Sequence, residues 1–198
     1  MIQAVKCLGL TGGVGMGKST AAQFFRDCGA QVVDTDELAR RLVEPGQPAL
    51  PEIQATFGKT VIAPDGNLRR DELAQIIFSD PAARKRLEGI LHPRIRQYWR
   101  SQLETWRKEN QRLAVVVIPL LFETNAQSDF EKIVCAACSA INQHRRLSER
   151  GWSPAQIKQR IAAQWPIGQK VAHADFIVWT DGSLESHAEQ IERIFARI

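Results

Sequence analysis

The 198-residue sequence lacks an apolar run long enough to cross a membrane. The longest such run, residues 113–122, has about half of the roughly 20 residues that a membrane-spanning helix needs, and it contains Pro119. Near the N-terminus, Lys6 interrupts the apolar stretch before a glycine-rich motif begins at Gly12, which is not the pattern of a removable signal peptide. We therefore expect no membrane role and a cytoplasmic location.

Cysteine and histidine are scarce, with four residues of each type. Cys135 and Cys138 form a C-x-x-C, but no second C-x-x-C and no H-x-x-x-H completes a zinc site. Because this pair lies in an apolar run typical of a buried strand, we interpret both cysteines as small buried hydrophobic residues rather than a redox pair. The histidines show no metal-ligand spacing; they are His92, His144, His173 and His187.

The sequence also lacks a dense block of one charge sign. Lys and Arg number 26 against 22 Asp and Glu, so the formal net charge is +4. This surplus suits an anionic small molecule, whereas a nucleic-acid-binding tail would carry a run of basic residues. We expect no nucleic-acid partner, and the sequence leaves both a monomer and a small homo-oligomer open.

The sequence does contain Val-, Ile- and Leu-rich runs that alternate with longer stretches of helical period. This alternation is typical of β-α-β units, so we predict an α/β fold with a five-stranded parallel sheet flanked by helices. The predicted strands are residues 4–10, 31–33, 113–118, 133–138 and 175–179. The predicted helices include residues 18–27, 37–43, 143–150 and 184–197, and another that begins at Ser153.

Residues 45–112 contain no convincing strand and are too long for an ordinary crossover connection. They contain several helix signals, among them Asp80-Pro81 and His92-Pro93, each of which is predicted to restart a helix. We therefore predict a single domain in which a core of residues 1–44 and 113–198 carries a helical substrate-binding insertion at residues 45–112.

Residues 12–20, GGVGMGKST, match the phosphate-binding loop G-x-x-x-x-G-K-[ST] between a predicted strand and a predicted helix. Glycines let backbone N–H groups face an anion, and the helix N-terminus adds unpaired donors. We predict a P-loop NTPase fold in which Lys18 reaches the β and γ phosphates, Ser19 ligates Mg²⁺ and Thr20 donates to the α phosphate. The predicted phosphate-binding residues are Gly13, Val14, Gly15, Met16, Gly17, Lys18, Ser19 and Thr20.

Two carboxylates, Asp34 and Asp36, follow the second predicted strand. The carboxyl ends of parallel strands line one edge of a sheet, so we expect both to face the γ phosphate. A kinase that acts on a neutral hydroxyl gains roughly 10² to 10⁴ in rate from a carboxylate that accepts the proton. Asp36 is the candidate base and Asp34 a candidate for orienting the acceptor or a Mg²⁺-bound water; the alternative is that either residue caps the following helix.

Three arginines, Arg145, Arg146 and Arg150, occupy the predicted helix after the fourth strand. A mobile helical lid at about residues 140–165 could bring such arginines over the nucleotide and exclude water. Arg146 is the candidate catalytic arginine and Arg150 a candidate nucleotide-binding residue. A solvated basic face is the alternative, and it applies most to Arg145.

Two further absences narrow the class of nucleotide-binding protein. The sequence has no N/T-K-x-D guanine-reading motif, and the first carboxylate after the strand that ends at Ile118 is Glu123. Both facts disfavour GTPase switches and motor-type ATPases. A kinase acting on a small metabolite or nucleoside hydroxyl stays open, as does a nucleotide sensor, although a sensor needs neither a base nor a lid of arginines.

The assembled motifs resemble the dephospho-CoA kinase family over nearly the whole chain. The combination is more specific than the phosphate-binding loop alone. Its pieces are Leu10-Thr11-Gly12-Gly13 with Gly17-Lys18-Ser19-Thr20, Val33-Asp34-Thr35-Asp36, Val43-Glu44-Pro45-Gly46, Leu91-His92-Pro93, Pro119-Leu120-Leu121-Phe122-Glu123, Ala163-Gln164 and Ala174-Asp175.

The resemblance implies transfer of the ATP γ-phosphate to the 3′-hydroxyl of dephospho-CoA, the last step of coenzyme A biosynthesis, with Mg²⁺. It implies that Asp36 contacts the acceptor hydroxyl, that residues 45–112 bind the pantetheine side and that the segment around Arg146 and Arg150 is the lid. Met16 departs from the small residue common in the family, and Trp179-Thr180 departs near the expected adenine contacts.

Overall fold

The computed structural model describes residues 5–198, which divide into two compact units. The first unit comprises residues 5–34 together with Leu103–Ile198, and the second comprises Thr35–Gln102. The first unit contains the sheet and the second is helical. The predicted start of the first strand, residue 4, lies outside the described residues.

The first unit is built on a five-stranded sheet in the order β2-β3-β1-β4-β5 with every pairing parallel, so the predicted α/β fold is confirmed. In register, Leu8 of the first strand pairs with Val115 on one side and Lys132 on the other. The strands are β1 (Lys6–Gly12), β2 (Gln31–Asp34), β3 (Leu113–Val117), β4 (Lys132–Ala137) and β5 (Phe176–Trp179).

Nine helices of the described chain surround the strands or form the second unit. They are α1 (Lys18–Asp27), α2 (Thr35–Arg41), α3 (Ala49–Phe57), α4 (Arg70–Ser79), α5 (Pro81–Lys108), α6 (Ala140–Glu149), α7 (Pro154–Ala162), α8 (Ile167–His173) and α9 (Leu184–Arg197).

The core of the first unit lies between the sheet and the helices α1 and α9. All five residues of β3 are buried, as expected for a parallel strand that is covered on both faces. Phe25 of α1 and Ile191 of α9 are both fully buried in one cluster with Leu8, Val115 and other strand residues.

Because every strand pairing is parallel, the carboxyl ends of all five strands lie at the same edge of the sheet. Ligands bind at this edge in open sheets of this kind.

The second unit has its own apolar cluster. Its centre includes Ile53 of α3, Leu73 of α4 and Ile90 of α5, together with Val61 from a short 3-10 turn. A single antiparallel bridge, Ile62 with Leu68, is formed around the predicted turn. Burial on three helices explains why the unit holds together without a sheet.

The prediction that a new helix begins at Pro93 is wrong, because α5 continues through it from Pro81 to Lys108. Proline removes one N–H and its ring presses on the carbonyl four residues earlier, which here belongs to Gly89. The neighbouring Ile90 carbonyl accepts a hydrogen bond from the Arg94 side chain at 2.6 Å. Burial of Ile90 before the proline and of Trp99 after it anchors both halves of the helix.

Other helices also differ from prediction. Helix α6 runs from Ala140 to Glu149, so it begins three residues before its predicted start. Helix α2 begins at Thr35, two residues before the predicted start, so Asp36 and Glu37 occupy its first turn, where negative charge complements the helix dipole. The sequence did not predict α8, because Pro166 precedes it and Gly168 lies in its first turn, and both residues disfavour a helix pattern. Helix α7 begins as predicted, with a capping box between Ser153 and Gln156.

Within residues 5–198, no helix combines the length and apolar character that a bilayer span requires.

Candidate active site

The phosphate-binding loop connects β1 to α1 at the carboxyl edge of the sheet. Gly17 precedes the first residue of α1 with φ of 84°, a left-handed conformation that favours glycine. Gly12 has φ of 146°, and a Cβ atom there would lie 2.2 Å from the carbonyl oxygen of Ala136 on β4. The loop therefore needs glycine at position 12 both for its backbone angle and for the close approach of a neighbouring strand.

The predicted catalytic lysine, Lys18, lies at the start of α1 with its side chain over the loop. Its ammonium donates hydrogen bonds to the carbonyl oxygens of Gly12 at 3.0 Å and Gly13 at 2.9 Å. Ser19 and Thr20 follow in the first turn of α1, and Ser19 is exposed. A lysine cation, two hydroxyl groups and a helix N-terminus are the kinds of group that bind anions in proteins.

Met16 contributes more than a backbone N–H group. Its side chain is buried, and its sulfur would lie 2.7 Å from a Cβ atom built on Gly13. The long side chain thus fills the space above Gly13, which explains how the loop accommodates methionine where the resembled family commonly has a small residue.

The two aspartates belong to different units of the structure. Asp34 is the last residue of β2 and pairs in register with Val117, the last residue of β3. Asp36 lies two residues further on, in the first turn of α2. Both therefore follow β2 closely along the chain.

The three arginines of the predicted lid have different environments. Arg146 on α6 donates to the side-chain oxygen of Thr180 at 2.9 Å and also to its backbone carbonyl. Thr180 in turn donates to the carbonyl of Met16 at 3.3 Å, so Arg146 is linked to the phosphate-binding loop through one residue. Arg145 forms an exposed pair with Glu149 at 2.9 Å, and Arg150 is exposed at the C-terminal cap of α6.

The segment after β5 ties α6 to the sheet. The carboxylate of Asp181 accepts hydrogen bonds from the Asn142 amide at 2.8 Å and from the Ser139 backbone N–H at 3.0 Å. The Asn142 amide holds the pKa of Asp181 below its usual value, and Ser139 acts in the same direction. An ionised Asp181 therefore anchors the N-terminus of α6, a role that the sequence pattern did not predict.

A buried ion pair lies near the end of β3, and sequence reasoning missed it. The Lys170 ammonium, fully buried, lies 2.8 Å from Glu123 and donates to the Pro119 carbonyl at 2.8 Å. Thr11 donates to the same carbonyl at 3.2 Å, and the Trp165 backbone N–H donates to Glu123 at 2.8 Å. No sequence signal marked Lys170, because a single lysine in a short helix usually lies on the surface.

Cys135 and Cys138 are buried, as predicted, and neither forms a disulfide. Cys135 on β4 is fully buried and Cys138 nearly so, and burial raises the pKa of Cys135 to about 11. In residues 5–198, no group of three or more His, Cys, Asp or Glu residues is arranged to hold a metal ion.

The sheet order, the glycine loop at the start of α1 and the lysine over it define a P-loop kinase fold. The crystal structure of a Thermus thermophilus protein is similar to this chain with a TM-score of 0.87 and 30% identity over 99% of both chains. A dephospho-CoA kinase from Campylobacter jejuni shares the fold with a TM-score of 0.66 and 23% identity over 98% of both chains.

The sequence comparisons identify the family. The family model for dephospho-CoA kinase matches residues 6–186. A dephospho-CoA kinase of Anaeromyxobacter dehalogenans is 42% identical over 193 residues, which are 97% of this chain and 92% of that relative. The chain belongs to the dephospho-CoA kinase family, and the predicted class of enzyme, a phosphotransferase of the kinase type, is confirmed.

Proposed function

We propose that this chain transfers the γ-phosphoryl group of ATP to the 3′-hydroxyl of dephospho-CoA, which gives coenzyme A and ADP. The hydroxyl oxygen forms a bond to the γ-phosphorus, the bond from that phosphorus to the β–γ bridging oxygen breaks, and the hydroxyl proton leaves. The observation that carries this proposal is the phosphate-binding loop at residues 12–20, in a chain that matches the family model over residues 6–186.

Lys18 and the loop bind the triphosphate in this proposal. The Lys18 ammonium, now on the carbonyls of Gly12 and Gly13, would turn to the β and γ phosphates. The donor set fits Mg²⁺, since the exposed Ser19 hydroxyl offers the hard oxygen ligand that this ion prefers. When bound, Mg²⁺ neutralises charge on the β and γ phosphate oxygens.

Asp36 is the proposed base that accepts the 3′-hydroxyl proton. Its support is the position two residues after β2, whose carboxyl end lies at the same sheet edge as the end of β1. Arg146 is the proposed stabiliser of charge on the transferring phosphoryl group, supported by its link through Thr180 to the loop. Arg150, exposed at the end of α6, is proposed to contact the nucleotide.

Residues 45–112 are proposed to bind the pantetheine side of the acceptor. Their helices have an apolar cluster of their own, which supports a separate substrate-binding role. We propose that the reaction takes place in the cytoplasm, as the last step of coenzyme A biosynthesis.

The direct test replaces Asp36 by Asn and measures ADP formation with and without dephospho-CoA. Loss of the base is expected to lower turnover at least about 100-fold while ATP binding is retained. Asp27→Asn is the control, because Asp27 is an exposed aspartate at the C-terminal end of α1, outside the proposed substrate-binding insertion. Near-normal turnover in Asp36→Asn would remove Asp36 as the base.

An acceptor panel tests the substrate separately. Dephospho-CoA is expected to support phosphoryl transfer far better than shikimate-like or nucleoside hydroxyls. If a nucleoside or small metabolite is the better acceptor, the chain is a kinase of another hydroxyl. If ATP binds but no acceptor stimulates ADP formation, the chain is a nucleotide sensor.

A further inference from the structure

Two glutamine side chains hold one residue of the phosphate-binding loop. The backbone N–H of Val14 donates to the side-chain oxygen of Gln164 at 2.9 Å. The backbone carbonyl of Val14 accepts from the side-chain amide of Gln143 at 2.8 Å. Val14 therefore has a neutral side-chain partner on each of its own backbone polar groups.

The two glutamines come from separate segments of the first unit. Gln143 is buried on α6, and Gln164 is half-buried in the turn between α7 and α8. They lie 129 and 150 residues from Val14 along the chain. In this structure the Val14 N–H donates to Gln164, whereas the motif predicts that it contacts a phosphate directly.

Helix α6 also contacts the next residues of the loop. A Cβ atom on Gly15 would lie 2.9 Å from the side chain of Leu147, which is fully buried. Arg146 reaches the carbonyl of Met16 through Thr180. The helix that carries the proposed catalytic arginine is thus attached to the loop at residues 14, 15 and 16.

These contacts have a consequence for catalysis. A glycine-rich loop has high conformational freedom, and its donors stabilise developing charge only if they are held in place beforehand. Neutral amides can hold the loop without placing a negative charge beside the phosphates. The hydrogen bond from Gln143 to the Val14 carbonyl also fixes the distance between α6 and the loop. Arg146 lies about one helical turn further along α6, so the same bond helps to position it.

We propose that Gln143 and Gln164 are positioning residues for phosphoryl transfer, which clamp Val14 and so hold the loop in register with Arg146. The effect that we expect on turnover rests on the proposed function. The clamp itself is a property of the protein alone, so it has a readout that does not depend on the reaction.

The test compares Gln164→Met, Gln143→Met and Gln164→Glu with the wild type. Methionine keeps the length of the side chain but cannot make the hydrogen bond to Val14. Turnover is expected to fall roughly 3- to 10-fold, which corresponds to the loss of one neutral hydrogen bond. Glutamate keeps an acceptor for the Val14 N–H but adds a negative charge near the phosphates, so the KM for ATP is expected to rise. The matched control is Gln159→Met, since Gln159 is exposed on α7.

Hydrogen exchange at the loop supplies the readout that is independent of catalysis. Gln164→Met is expected to speed exchange of the Val14 amide in the protein without nucleotide, and Gln164→Glu is expected to restore its protection. Unchanged exchange together with unchanged turnover and KM in both methionine variants would overturn the clamp. If the wild type shows no acceptor-dependent ADP formation, the proposed function fails, whereas altered Val14 exchange still supports the clamp.

Discussion

Replacement of Lys170 by Met is expected to destabilise the protein far more than its single ion pair would suggest. The Lys170 side chain has no exposed surface and the Glu123 side chain is 15% exposed. Removing the lysine leaves the Glu123 carboxylate in a largely dry environment, where the Trp165 backbone N–H still donates to it. Breaking a buried pair in this way costs about 3–5 kcal/mol, a large part of the roughly 5–15 kcal/mol that stabilises a typical domain.

The structure provides a matched control for that change. Lys132 and Asp175 lie at the same distance, 2.8 Å, but their side chains are 53% and 34% exposed. Because water screens an exposed pair, Lys132→Met is expected to lower the free energy of unfolding by about 0–1 kcal/mol. The two lysine variants therefore remove ion pairs of equal N–O distance that differ in burial.

A double variant separates the charge from the packing. In Glu123→Gln the side-chain oxygen can still accept from Trp165, while the negative charge is lost. The double variant combines Lys170→Met with Glu123→Gln, and together with the two single variants it forms a double-mutant cycle. Its loss in free energy of unfolding is expected to be at least about 2 kcal/mol smaller than the sum of the two single losses.

Urea unfolding, followed by tryptophan fluorescence and by far-ultraviolet circular dichroism, measures these free energies. Two probes are needed because the chain has two compact units, which can unfold in separate transitions. Equal losses for Lys170→Met and Lys132→Met, or a coupling free energy near zero, would refute the assignment of the cost to buried charge.

Two further predictions concern the phosphate-binding loop and pH. Gly12→Ala is expected to destabilise the protein by about 2 kcal/mol or more, because its Cβ atom meets the Ala136 carbonyl at 2.2 Å. Thermal melting should show a smaller loss for Gly29→Ala, which also has a positive φ but no atom within 4 Å of the new Cβ, and equal losses would contradict the clash. Burial, and then Arg146, lowers the pKa of His187 in the folded state. The unfolded chain therefore binds that proton first, and stability is expected to fall as pH decreases below about 6.5, less so in His187→Gln; equal pH profiles would exclude this cause.

The sheet and the phosphate-binding loop could be predicted because their signals are local. Each strand is a short apolar run, and the loop is a contiguous glycine pattern before Lys18 that imposes its own backbone angles. Helices α1 and α9 have the predicted bounds, since their caps and apolar periodicity lie within the elements themselves. The continuity of α5 through Pro93 was not predictable in this way, because burial on both sides outweighs the local preference of proline.

The sequence alone therefore determined the class of fold, the family and the phosphate-binding loop, since each can be recognised from short motifs whose residues are contiguous in the chain. The tertiary structure decided what holds that loop: Gln143 and Gln164 on Val14, and Thr180 between Met16 and Arg146. Their side chains have common residue types and no shared spacing. Only folding brings them within hydrogen-bond distance, because they come from elements more than a hundred residues away from the loop.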